Sequence, residues 1–140
     1  YLAGAKKIVI EDAYVRMPYQ LRNLAEFLEM LLRCKNPDED VAVHLVTGHN
    51  EPGFVEAQLN GLNELASTFS QLGVNLTYEF RDTLHDRSIT SDTGWEILPG
   101  RGLDIFQKFV DGDWLNPLLR HQQLRRVKEC KITYRRIDEK

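Results

Sequence analysis

His85, Arg87 and Asp92 give the segment HDRSITSD (85–92) the pattern His-x-Arg-x-x-x-x-Asp. An imidazole beside a guanidinium suits a phosphodiester. The imidazole can attack phosphorus or carry a proton, the guanidinium holds phosphoryl oxygens, and a carboxylate orients the ring. Side chains two apart on a strand share a face, so His85 and Arg87 are expected on one side and Asp86 on the other. Asp92 lies past the strand end, where the turn can bring its carboxylate back. The same spacing also arises on a solvated strand running into a turn, so spacing alone leaves both readings open.

The elements that must position these residues follow from apolar periodicity. KKIVIED (6–12) reads as a buried strand ending in Glu11 and Asp12, and parallel α/β sheets place binding residues at such strand ends. With Arg16 nearby, these two acids are expected to line the same pocket as His85; helix capping and a local ion pair account for them equally well. Pro18 suits the first turn of a helix over 18–34, whose stripe is Leu21, Leu24, Ala25, Leu28, Leu31 and Leu32. VAVHLVT (41–47) is apolar enough for the middle of a sheet covered on both faces, with His44 as a satisfied core histidine. A second helix starts near Asn50 and Pro52, carries Val55, Leu59, Leu62, Ala66 and Phe69, and stops at Gly73. VNLTYEFR (74–81) alternates, with Val74, Leu76, Tyr78 and Phe80 on one side.

This order of strand, helix, strand, helix, strand implies an α/β fold whose sheet begins largely parallel. Beyond it, LHDRSI and GWEIL read as two strands joined by the turn TSDTG (90–94). Residues 99–110 read as a loop entering a short helix, and 111–119 have no regular pattern. The last strand, RRVKECKITYRR, should turn Cys130, Ile132 and Tyr134 inward. Trp95 is expected to pack on the sheet. Trp114 suits either a buried contact or an exposed membrane contact beside the basic strand.

The 140 residues form one domain of single-core size, and 42% hydrophobic with 28% charged residues is ordinary globular composition. The chain begins at Tyr1, the expectation being a domain excised from a longer protein. No apolar run approaches a membrane span, and no phosphate-loop or dinucleotide fingerprint is present, which argues against a nucleoside triphosphate site. Cys34 and Cys130 have neither disulfide-framework nor metal spacing, so reduced thiols and a cytoplasmic location are expected. His49 and His121 read as loop or surface residues, and no metal is expected. The net charge of −3 opposes a generic polyanion binder. Yet Arg120, Arg125, Arg126, Lys128, Lys131, Arg135 and Arg136 face one acid, Glu129, in the last stretch. A basic face on an acidic body fits a focused anionic partner as well as it fits a solvated strand.

The 85–92 segment resembles the HxKxxxxD signature of the phospholipase D superfamily, with Arg87 where lysine is usual. Gly100 stands where a Gly-Ser is expected, and Arg101 replaces the serine. IEDAYVRMPYQLRN, VHLVT, LHDRSI, GW and GRGLDIF, in this order, are similar to the C-terminal phospholipase D-like domain of the MIT-domain-containing protein 1 family. The resemblance implies a phospholipase D-like sandwich, a mixed and mostly parallel sheet flanked by helices, and a homodimer with no cofactor. In catalytic relatives, histidines from two chains meet, one as nucleophile and one as acid. In this family the domain is regarded as non-catalytic, binding acidic phospholipid membranes beside ESCRT-III machinery late in cell division.

Carried over by position, His85, Arg87 and Asp92 form the degenerate motif and Arg101 lines its pocket. Glu11, Asp12, Arg16, Arg125, Arg126 and Lys128 are expected as further ligand-binding residues. The reading is a recruitment domain for phosphate-bearing ligands, above all anionic phospholipid membranes, and so peripheral to the membrane, with an N-terminal domain attached. Its rivals are a metal-independent phosphodiesterase or nuclease using His85 from each of two chains, with nucleic acid as partner, and a dimerisation domain with a vestigial pocket.

Overall fold

Apolar residues at every second position become strands, and all but the last strand send those side chains to a single core. The computed structural model describes residues 1–103 and 130–137. The elements are β1 (Lys7–Glu11), α1 (Pro18–Cys34), β2 (Val41–Thr47), α2 (Val55–Ser70), β3 (Val74–Phe80), β4 (Ser88–Ser91), β5 (Trp95–Pro99) and β6 (Ile132–Arg136). The helix expected within 99–110, the irregular 111–119 and the start of the last strand fall largely outside the described residues. Within reach, Arg101–Leu103 form a turn after β5.

The six strands form one sheet in the order β3-β2-β1-β4-β5-β6. β1 pairs parallel to β2, and β2 to β3, as strands joined by helices require. β4 joins the other side of β1 antiparallel, and β5 and β6 continue antiparallel. The protein is therefore α/β with a mixed sheet, parallel at one end. Ile8, Ile10, Val43, Leu45, Val74 and Leu76 project from one face against Leu24, Leu28 and Leu31 of α1 and Leu62 and Phe69 of α2. Full burial of each such side chain stabilises the fold by about 1.5–3 kcal/mol.

The opposite face departs from expectation. Among the described residues, Ala42 and Val9 are exposed and His44 is half-buried, so β2 is not covered on both sides. His44 is satisfied but is not a core residue. Its Nδ1 lies 2.7 Å from Thr77 Oγ1 and its Nε2 2.9 Å from Glu79 Oε1, both on the neighbouring β3. β6 is an edge strand exposed along its whole length, and Cys130 just before it is half-buried. Ile132 and Tyr134 therefore do not turn into the core. Tyr134 instead stacks on Tyr1 at 4.1 Å, and Tyr1 meets Trp95 edge-on.

Two polar residues lock the carboxyl ends of the parallel strands. The side chain of Gln58, almost fully buried on α2, donates Nε2–H to the carbonyls of Val15 and Gly48, both at 3.0 Å. Its Oε1 accepts the Asn50 N–H at 2.8 Å. Thr47, fully buried, accepts the Val15 N–H at 3.2 Å. The loops after β1 and β2 are thus fastened to each other and to α2. Gln58→Leu would leave three backbone groups without partners, each costing about 1–3 kcal/mol. Urea unfolding should show a loss of about 3 kcal/mol or more; a loss below about 0.5 kcal/mol would mean the loops are held by other contacts.

Candidate functional site

β1 is the strand at which the sheet changes character, with a parallel neighbour on one side and an antiparallel one on the other. Crevices at the carboxyl ends of α/β strands, where connections diverge, collect ligands. Here the chain leaves β1 at Asp12 while the segment entering β4 arrives beside it, because Glu11 pairs with Ser88. His85, Asp86 and Arg87 precede β4, which begins only at Ser88. The expected strand over LHDRSI is thus shorter, and strand alternation does not separate these three residues. All three line one cleft together with Tyr14, Leu98, Pro99 and Gly100.

Asp12 organises the neighbouring cavity, of about 180 Å³, which it lines with Tyr14, Gln20, Asn23, Arg87 and Arg101. Its carboxylate is almost wholly buried, at 3% exposure. Oδ1 accepts the Tyr14 N–H at 3.0 Å and Oδ2 accepts the Leu103 N–H at 3.1 Å. Arg87 Nε faces Oδ1 at 3.8 Å, and Nη1 donates to the Gly100 carbonyl at 3.4 Å. Gly102 has φ +61°, and a Cβ there would collide with the Asp12 carboxylate. A side chain at 102 would be both strained and sterically blocked. The imidazole of His85 is exposed and makes no hydrogen bond or ion pair among the described residues.

Three residues stand elsewhere than expected. Asp92 does not return to His85. β4 runs antiparallel to β1, away from the cleft, and four residues of strand separate Ser88 from Asp92 by about 13 Å. Asp92 Oδ1 instead accepts the Lys6 N–H at 3.0 Å, at the opposite end of the sheet. Glu11 lies on the open sheet face, 3.9 Å from Arg81, and lines neither cavity. Arg16 turns towards the loop after β2, with its guanidinium 4.9 Å from the Tyr14 ring centroid, and lines neither of the two cavities. Arg125, Arg126 and Lys128 lie outside the described residues. Tyr14, Leu98 and Pro99 are site residues that the sequence reading does not name as such, Tyr14 alone leaving a signal, inside IEDAYVR; Asp86 is expected on the other strand face and Gly100 only as the glycine of the family pattern.

Residues 1–136 match the family described as the phospholipase D-like domain at the C-terminus of MIT. The chain belongs to that family. MIT domain-containing protein 1 of Mus musculus is 38% identical over 102 residues, which cover 73% of this chain and 40% of the relative. The matched part of the chain thus spans about two fifths of that relative's length.

In this phospholipase D-like domain, no grouping of three or more His, Cys, Asp or Glu side chains among the described residues could hold a metal ion. No helix among them is long and apolar enough to cross a membrane. Away from the cleft, two carboxylates are held below their ordinary range. The hydrogen bond from His44 lowers Glu79, helped by Arg81. The backbone N–H and ring of His49 lower Asp82, helped by Arg16.

Two outcomes follow from this geometry. Asp12→Ala removes an acceptor shared by two backbone N–H groups and one guanidinium. It should cost about 2–4 kcal/mol in denaturant unfolding, and a neutral result would show that Arg87 and the 100–103 turn are held without it. Glu79, its native pKa lowered, contributes stability that is present above its unfolded value and lost as pH falls through the native one. Carbon-detected titration should place its midpoint below an ordinary glutamate, and His44→Ala should raise it; an unchanged midpoint would contradict the pairing.

Proposed function

We propose that this phospholipase D-like domain binds phosphate-bearing ligands and recruits its parent protein to anionic phospholipid membranes. The observation that carries the reading is the placement of Arg87. Asp12 and the Gly100 carbonyl hold it at the cleft wall through Nε and Nη1. Most of its five N–H donors remain without a protein partner among the described residues, and a guanidinium in that state is matched to phosphoryl oxygens. Arg101 lines the same cavity, and exposed His85 lies beside Arg87.

The domain works as a homodimer, so that two clefts meet one surface and weak single contacts add up. Family membership supports an N-terminal MIT module, and with it action beside ESCRT-III machinery in cell division. The domain is then cytoplasmic and peripheral to the membrane. Arg125, Arg126 and Lys128 would add to the attraction of an anionic bilayer, each basic residue near the surface being worth about 1 kcal/mol.

A second reading rests on His85. An exposed imidazole with no hydrogen-bond or ion-pair partner among the described residues, beside an arginine, can act as nucleophile or acid in a metal-independent phosphodiesterase or nuclease. Asp92, bound to Lys6 N–H, does not supply that ring with an orienting carboxylate. This removes one component of the enzyme reading, and recruitment is preferred.

Sedimentation with phosphatidylserine-containing vesicles at low salt tests the proposal. Wild-type protein should bind these and not phosphatidylcholine vesicles, and Arg87→Gln should weaken binding about tenfold, the loss of one or two charge-assisted contacts. Binding equal on both vesicle types would refute recruitment by charge. Hydrolysis of a chromogenic phosphodiester in EDTA, abolished by His85→Ala, would establish the enzyme reading instead.

A further inference from the structure

Two arginines lie over the ring of Tyr14. Arg87 and Arg16 each place the guanidinium carbon 4.9 Å from its ring centroid. The two cations are therefore no more than about 10 Å apart, each attracted by the ring quadrupole while repelling the other. Arg16 is fixed as firmly as Arg87. Its Nε donates to the Ala13 carbonyl at 2.7 Å, and its Nη2 passes close over Gly48, where a Cβ would stand at 3.0 Å. Gly48 is itself held, since its carbonyl accepts from buried Gln58.

The two arginines differ in their counter-charge. Arg87 has Asp12. Arg16 is half-buried and forms no ion pair among the described residues, and Asp82 feels it only through space. A half-buried cation held rigidly beside a second cation is unfavourable until an anion reaches it. Its Nη groups, unlike Nε, are not engaged by any protein acceptor among the described residues.

We infer that Arg16 is a second phosphoryl subsite, so that the ligand of the cleft carries two phosphoryl groups that straddle Tyr14. This rests on the reading that Arg87 binds a phosphate. The ligand class is a phosphorylated headgroup with one further phosphomonoester, either carried on a lipid or free in solution. Inorganic phosphate and simple diesters would engage Arg87 alone.

Calorimetric titration of the full chain with inorganic phosphate, and with an inositol bisphosphate phosphorylated on opposite ring carbons, tests this. The bisphosphate should bind at least about tenfold more tightly, and Arg16→Gln should reduce that preference about tenfold. Gly48→Ala, which presses on Nη2 without removing charge, should reduce it in the same direction, with melting curves confirming that both variants fold. A preference unchanged in both folded variants overturns the second subsite while leaving the Arg87 reading standing. Absence of any binding by wild type, to phosphate or bisphosphate, overturns both. Vesicles carrying a singly phosphorylated phosphatidylinositol separate the sources: retention above plain phosphatidylinositol vesicles places the second phosphate on a lipid, and binding of the soluble bisphosphate alone places it on a free ligand.

Discussion

A carboxylate taken almost wholly out of water must be met by donors or positive charge, and at Asp12 both conditions are fulfilled by different parts of the chain. The N–H of Tyr14 comes from the loop leaving β1. The N–H of Leu103 comes from the turn after β5, 91 residues away in sequence. The Arg87 guanidinium comes from the segment entering β4. One side chain thus draws three separate segments to the same edge of the sheet. Without it, Arg87 would keep only the Gly100 carbonyl and the Tyr14 ring, and the Gly100–Leu103 turn would lose the Leu103 hydrogen bond that ties it to the end of β1. The close approach of Gly102 to this carboxylate shows how little slack the arrangement leaves.

The floor beneath this edge is apolar and the rim polar. Ile8 and Ile10 hold β1 in the core, while Gln58 and Thr47 satisfy the backbone that turns over at the ends of β1 and β2. A buried glutamine bridging two loops is more rigid than the loops alone, since each lost contact would leave a buried group unpaired. Tyr14 and Arg16 sit on the rim that this network supports. The cleft is therefore built on anchored loops, the arrangement needed if two arginines are to keep their spacing when no ligand is bound.

Much of the fold was legible in the sequence because it rests on local periodicity. The two helices and first three strands fall where the apolar stripes place them, and the chain's order of elements dictates the parallel end of the sheet. What escaped was set by pairing partners that no local pattern reveals. Spacing makes Asp92 a motif residue, yet the antiparallel register of β4 against β1 carries it to the far end, onto Lys6. His44 looked like core from its apolar neighbours, although its face of β2 is open and its ring is satisfied by two residues of β3. Tyr134 looked inward by alternation, but an edge strand gives alternation little to pack against. The sequence places Asp12 at a strand end; that Tyr14, Arg87 and Leu103 meet it there could be known only from the fold.

The central claim is that the cleft held together by Asp12 receives phosphate. Amide-resolved NMR titration of the protein with inorganic phosphate addresses it most directly. The account requires shifts concentrated at Asp12–Tyr14, His85–Arg87 and Gly100–Leu103, saturating together with one affinity. Shifts spread evenly over exposed basic residues, or centred on Lys6 and Asp92 at the other end of the sheet, would contradict it.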